Sequence, residues 1–153
     1  MRGLEKKLPP PVVALSIAAA MWYGTRFAPH LDIQDGLRWS LCAVLAIVGL
    51  AFDVAGLLAF HGAKTTINPL RPEKASRLVV SGVYRLTRNP MYVGLAVNLL
   101  AWSAYLAAPL TLAGPVAFIL YITRFQILPE ERVLLGLFGE AYRAYCRQVP
   151  RWL

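Results

Sequence analysis

The sequence predicts an all-α integral membrane protein, with four transmembrane helices followed by a cytoplasmic, amphipathic helical segment. Three observations lead there. The 153-residue chain is 58% hydrophobic, above the roughly 45–50% of ordinary soluble domains. Its apolar residues fall in long runs separated by polar stretches. Its net charge of +8 gathers between those runs rather than spreading evenly, the pattern by which Lys and Arg mark the cytoplasmic side of a membrane.

The first helix is predicted over residues 12–27, entered through Pro9-Pro10-Pro11 and ending in Trp22, Tyr23 and Phe27, aromatics suited to an interface belt. Basic residues (Arg2, Lys6, Lys7) precede this run. More membrane segments follow it, so an uncleaved first helix is expected rather than a signal peptide. Residues 28–36 carry Asp32 and Asp35, which balance Arg26 and Arg38. This loop is therefore assigned to the translocated side.

The second helix, residues 37–60, is long enough to cross about 30 Å of hydrocarbon. Its one internal charge is Asp53, on a stripe with Gly49, Gly56 and Phe60 that lets a neighbouring helix approach closely. An acid at membrane depth is costly and marks either a functional group or an interfacial acid tied to an Arg or to backbone. Both readings stay open. Residues 62–90 form a basic loop: Lys64, Arg71, Lys74, Arg77, Arg85 and Arg88 against the single acid Glu73. By the positive-inside rule this loop is cytoplasmic. The apolar run Leu78-Val79-Val80 is expected to dip back toward the membrane.

The third helix, residues 91–107, begins at Asn89-Pro90, where proline suits a first helical position and disfavours helix in the residue before it. Asn98 and Trp102 share one of its faces. A short uncharged turn at Ala107-Ala108-Pro109 leads to the fourth helix, residues 110–125. The last segment, 129–148, opens with Pro129-Glu130-Glu131, acids suited to a helix's first turn. It is amphipathic: Leu134, Phe138, Ala141, Tyr142 and Tyr145 line one side, and Gly139 is placed to split it. The result is one membrane domain, with both the N- and C-termini cytoplasmic in a bacterial inner membrane. No internal repeat or second domain is present.

Several chemistries are disfavoured. The long apolar runs argue against nucleic acid as partner. Two separated His and two separated Cys give no metal-ligand spacing. Cys42 and Cys146 read as ordinary small apolar residues on opposite sides of the membrane, unable to pair. There is no nucleophile elbow, P-loop or dinucleotide fingerprint. What remains is two polar patches in one compartment: the corner around Gly82, Tyr84, Arg85, Arg88, Asn89, Pro90 and Tyr92, and Glu130-Glu131 at the end of the fourth helix. The outgoing third helix and returning fourth helix let them meet. Arginines, aromatics and paired acids together suit a polar ligand carrying both charge signs and a ring.

The run Leu78-Val-Val-Ser-Gly-Val-Tyr-Arg-Leu-Thr-Arg-Asn-Pro-Met-Tyr-Val-Gly resembles the signature of the integral-membrane methyltransferases, the isoprenylcysteine carboxyl methyltransferases and related phospholipid N-methyltransferases. Glu130-Glu131, Phe138-Gly139, Tyr142, Tyr145 and Val149-Pro150 continue that pattern in the same order, so the resemblance covers Thr66 to Arg151. It implies S-adenosylmethionine as methyl donor and a lipophilic, membrane-embedded acceptor: an isoprenylcysteine carboxylate or a phospholipid amine. It also implies cofactor contacts at Tyr84, Arg88, Asn89, Pro90, Tyr92, Glu130 and Glu131, with Leu78 and Val79 as further candidates on the adenine side. The family pattern has His where this chain has Asn89. An Asn can hydrogen-bond but cannot titrate near neutral pH, so Asn89 is expected to hold cofactor, or to serve only as the turn residue before Pro90.

Methyl transfer from a sulfonium is an in-line displacement in which the protein mainly aligns donor and acceptor. A carboxylate acceptor needs no base, whereas an ammonium must first lose a proton. Asp53 or one of the Glu pair, Glu130 foremost, is the candidate catalytic group. Two other readings compete: a four-helix membrane protein that binds lipid or a partner without catalysis, and a reduced relative of the membrane sterol reductases.

Overall fold

The computed structural model describes residues 8–63 and 78–153. Most of the predicted basic loop, including Lys64, Arg71, Glu73, Lys74 and Arg77, lies outside the described residues, as do Arg2, Lys6 and Lys7. Every regular element among the described residues is helical: α1 (Pro10–Gly24), α2 (Asp35–Ala63), α3 (Pro90–Leu106), α4 (Ala113–Ile122) and α5 (Leu128–Gln148). Short 3₁₀ turns occupy Thr25–Phe27, Gly82–Arg85 and Pro109–Leu112, and a π turn occupies Thr123–Ile127. Two stretches are long and apolar enough to cross a membrane, Asp35–Ala59 and Pro109–Gln148; Pro90–Leu106 is a shorter apolar helix.

α3 is the central helix, and its two faces pack against different neighbours. Tyr92, Ala96, Leu99 and Leu106, spaced four, three and seven residues apart, join Val13, Ala14 and Met21 of α1 and Phe118 and Ile122 of α4 in the main core. Trp102 Nε1 donates to the Ala18 carbonyl at 3.0 Å and ties α3 to α1. The opposite face packs on α2 through glycines. A Cβ at Gly49 would sit 2.9 Å from the Gly94 carbonyl, one at Gly56 2.7 Å from Met91 Cγ, and one at Gly94 against Asp53 Oδ1. The Gly49 position also abuts the Asn98 side chain, and the pairs 49 with 98, 53 with 94 and 56 with 91 set an antiparallel register. Within it Asn98 Nδ2 donates to Asp53 Oδ2 at 3.2 Å.

The far end of α3 is closed by backbone. Ala107 adopts the left-handed conformation (φ 48°) and its amide bonds the Ser103 carbonyl at 3.0 Å. Its own carbonyl accepts from Leu31 N at 2.7 Å. An apolar cavity of about 210 Å³, lined by residues such as Leu41, Leu45, Leu100 and Leu112, lies at this end.

One sequence expectation changes in form. The fourth helix does not stop before Pro129; it runs through the π turn into α5, with Pro129 buried in α5's first turn. Proline has no N–H to give the preceding turn, and the wider π turn absorbs that missing bond without breaking the axis. The split expected at Gly139 is present (φ 51°, ψ −122°).

Candidate active site

The site is built where the chain enters α3. Ser81 is extended and Gly82 has a φ of 61°. Nothing lies within 4 Å of a Cβ built there, so glycine is favoured by the backbone angle and not by space. One 3₁₀ turn then delivers Tyr84 to a buried position, and Asn89-Pro90 starts α3. Between them Thr87 is fully buried. Its hydroxyl donates to the Arg151 carbonyl at 3.1 Å and accepts from Asn89 N at 3.2 Å. Asn89 Nδ2 donates to the same Arg151 carbonyl at 2.9 Å, and Arg88 N donates to the Pro150 carbonyl at 3.0 Å. The segment after α5 is thereby laid against residues 87–89.

Side chains complete the join. Arg88 Nη1 reaches Glu131 Oε1 at 2.9 Å and Cys146 Sγ at 2.7 Å. Arg151 grips Glu131 with both arms of its guanidinium, Nε to Oε1 at 2.9 Å and Nη2 to Oε2 at 2.7 Å. These bonds raise the Arg151 pKa above its ordinary value. Arg88 Nε is buried and has no hydrogen-bond partner among the described residues. Next to this cluster, Tyr92 donates its phenol to Glu130 Oε1 at 2.8 Å, and Gln126 Nε2 donates to the same oxygen at 2.5 Å. Tyr145 donates to the Tyr84 carbonyl at 2.7 Å. Burial, with Tyr145 and Glu130 nearby, pushes the Tyr84 phenol well above its usual range, so it stays protonated.

Arg88, Asn89, Pro90, Tyr92, Glu130 and Glu131, and with them Tyr84, thus converge from segments some forty residues apart in sequence. Leu78 packs on the cluster of Tyr142, Tyr145 and Val149, with Val79 buried beside it. Leu78 is thereby held by the C-terminal segment, whereas Val80 stays exposed. Asp53 sits apart. It faces Gly94, whereas Tyr92 points to the α4–α5 side, and two residues along an α-helix are turned about 200° from one another.

Four residues of the cluster are not among the candidate site residues that the sequence suggests: Thr87, Gln126, Cys146 and Arg151. Gln126 had a signal, its position four residues before Glu130 on one helix face. Thr87 and Arg151 act through tertiary pairing, which leaves no local pattern. Both cysteines are free, but Cys146 accepts a hydrogen bond from Arg88 and is more than a small apolar filler.

Residues 37–141 match the family described as phospholipid methyltransferase. Protein-S-isoprenylcysteine O-methyltransferase B of Arabidopsis thaliana is 32% identical over 109 residues, 69% of this chain and 54% of that protein. Methanethiol S-methyltransferase of Pseudomonas deceptionensis is 30% identical over 122 residues, 74% of this chain and 40% of that one. A Delta(14)-sterol reductase of Mus musculus is 32% identical over 69% of this chain but only 29% of its own length. The chain thus spans about half or less of these named relatives. With the family match running from α2 into α5, the chain belongs to the phospholipid methyltransferase family, whose members include membrane methyltransferases.

Proposed function

We propose that the chain transfers a methyl group from S-adenosylmethionine to a lipophilic acceptor at the cytoplasmic face of a bacterial inner membrane. In this reading α1, α2, α3 and the α4 stretch make four crossings, and both ends of this sequence are cytoplasmic. The observation that carries the reading is the convergence of Arg88, Tyr92, Glu130 and Glu131 at the start of α3.

The residues present suit this cofactor. A buried guanidinium N–H with no acceptor is costly, so Arg88 Nε favours an anionic group such as the cofactor's carboxylate. Glu130, oriented by Tyr92 and Gln126, offers a carboxylate for its ammonium or sulfonium. Tyr84, Leu78 and Val79 give the aromatic and apolar surface that an adenine ring prefers. Asn89 and Pro90 shape the turn that holds Arg88 and Tyr92. Glu131 orients Arg88. When bound, the cofactor supplies an already activated methyl group, so the chain's residues chiefly align the reactants and exclude water.

The acceptor in this reading is one that needs no base, a carboxylate or a thiolate. Support comes from both candidate bases being engaged: Asp53 by Asn98 on the α2 face of α3, away from Tyr92, and Glu130 by Tyr92 and Gln126. The names of the isoprenylcysteine and methanethiol methyltransferase relatives are consistent with it.

Calorimetry on the purified chain in detergent tests the cofactor: binding of S-adenosylhomocysteine is expected, and no heat with either it or S-adenosylmethionine overturns the reading in favour of a non-catalytic lipid-binding protein. Transfer of a labelled methyl group to a prenylcysteine or to methanethiol is expected. Transfer to phosphatidylethanolamine alone overturns the acceptor class.

A further inference from the structure

We propose that Arg151 is a positioning residue for the cofactor site: it fixes Glu131, and through Glu131 and the 87–89 backbone it fixes the Arg88 guanidinium. This rests on the cofactor reading above. Arg151 acts on Arg88 along two independent routes. Through its side chain, a two-armed bond sets the plane of the Glu131 carboxylate, a geometry that Arg's planar fork specifies and a point charge does not. With that plane set, Oε1 is presented to Arg88 Nη1 alone, and Arg88 Nε is left facing elsewhere without a partner. Through the backbone, the Arg151 carbonyl takes Thr87 Oγ1 and Asn89 Nδ2, while the preceding carbonyl takes Arg88 N. Trp152 anchors the same segment to the π turn, its Nε1 donating to Thr123 Oγ1 at 3.1 Å.

The groups are largely enclosed: the side chains of Arg88, Glu131 and Arg151 are 13%, 17% and 35% exposed. Two guanidiniums meet one carboxylate, which leaves one positive charge in excess. Without Arg151 the excess is gone, and Arg88 is free to take Glu131 side-on through Nε and Nη, the paired geometry that guanidinium and carboxylate prefer. Arg88 Nε would then be consumed inside the protein instead of being offered to a ligand.

The test uses the full chain in detergent micelles, with S-adenosylhomocysteine as calorimetric probe. Arg151→Met is expected to weaken binding about tenfold, equivalent to about 1.4 kcal/mol. Arg151→Lys, which keeps charge but not the fork, should fall between. Because Arg151 and Glu131 act as one unit, the double variant Arg151→Met/Glu131→Gln should be little worse than the weaker single variant. In turnover, KM for S-adenosylmethionine should rise while kcat stays within about threefold, the signature of lost binding rather than lost chemistry. Hydrogen exchange of the peptide covering Arg88 should also speed up in Arg151→Met, with or without ligand. A lower unfolding midpoint with unchanged affinity and KM in both Arg151 variants overturns the proposal and makes Arg151 a structural tie only. If the parent chain binds no probe, the cofactor reading fails; unchanged exchange at Arg88 separately overturns the coupling from Arg151 to residues 87–89.

Discussion

Tyr92 on α3 donates its phenol to Glu130 on α5 at 2.8 Å, and this bond joins the core helix to the acid that the proposed cofactor would meet. The ring of Tyr92 belongs to the main core, while its hydroxyl belongs to the site. Tyr92→Phe separates the two. The ring's packing is kept, and Glu130 loses one neutral donor while Gln126 still holds it. A hydrogen bond to a charged acceptor contributes about 1.5–3 kcal/mol, and the retained Gln126 bond keeps the stability loss near the lower figure. The expected result is a modestly lower unfolding midpoint and S-adenosylhomocysteine binding weakened several-fold. A variant equal to the parent in both would show that Glu130 is oriented without Tyr92.

The Gly94 position is set by α2. An added Cβ would press on Asp53 Oδ1 and come within 2.7 Å of the Gly49 carbonyl, which is backbone and cannot step aside. Gly94→Ala therefore forces α2 and α3 apart, and overpacking of this kind costs about 1–3 kcal/mol. Gly136 is the control. Nothing lies within 4 Å of its Cβ position on α5, so Gly136→Ala should stabilise by up to about 1 kcal/mol through helix propensity. Unfolding in detergent by denaturant reads both. Equal tolerance at the two positions would contradict the close α2–α3 contact.

Asp53→Asn distinguishes a packing acid from a base. An amide oxygen still accepts from Asn98 Nδ2, so the seam survives the change. A general base contributes about 10²–10⁴-fold in rate. With Asp53 facing Gly94 and Asn98, Asp53→Asn should retain turnover within a few-fold, while Asp53→Leu, too bulky beside Gly94, should unfold at lower denaturant. A loss of a hundredfold or more in turnover by a folded Asp53→Asn would return Asp53 to the chemistry and favour an amine acceptor.

How much of this was legible in the sequence depended on whether a signal was local. The helices were legible because long apolar runs and Asn89-Pro90 act through neighbours in the chain; the observed bounds lie within three residues of the expected ones. The break at Gly139 was legible because glycine tolerates positive φ where other residues do not. Continuity through Pro129 was not, because a proline reads as a break unless the preceding turn is known to widen. The polar cluster was half legible. Arg88, Tyr92, Glu130 and Glu131 stood out by type and order, but only the fold shows that Arg151 shares Glu131 with Arg88. Asp53 illustrates the opposite case. Its chemistry drew notice, whereas its face of the helix pair, set by Gly49 and Gly94, decides what it can touch.

Gly139 holds a positive φ inside what is otherwise continuous helix, and it lets Tyr142 and Tyr145 turn onto Leu78 and Val149. The space beside it is open, so any penalty on Gly139→Ala is conformational. Sparsely populated positive-φ backbone of this kind costs a residue bearing a Cβ about 1–3 kcal/mol. The variant should lose about that much stability, and hydrogen exchange should rise in the 140–148 segment before the membrane-spanning helices. Exchange that rises uniformly instead would show that the segment does not act as a separate unit.

Asn89 stands where the resembled signature has His, and its side chain is engaged in the fold, with Nδ2 donating to the Arg151 carbonyl at 2.9 Å. An imidazole can make the same kind of donation through a ring N–H. Asn89→His should therefore keep the 87–89 turn against the Arg151 carbonyl and bind S-adenosylhomocysteine within about threefold of the parent at pH 8, where the ring is mostly neutral. Asn89→Ala removes the donor and leaves the Arg151 carbonyl with Thr87 alone, at a cost of about 0.5–1.5 kcal/mol. Lowering the pH toward 6 begins to protonate the introduced His, adding a positive charge one residue from Arg88 and against the Arg151 backbone. Binding by Asn89→His should then weaken as pH falls from 8 to 6, while the parent, with Asn at this position, changes less. Asn89→Ala binding equal to the parent at both pH values would mean that position 89 only turns the chain before Pro90.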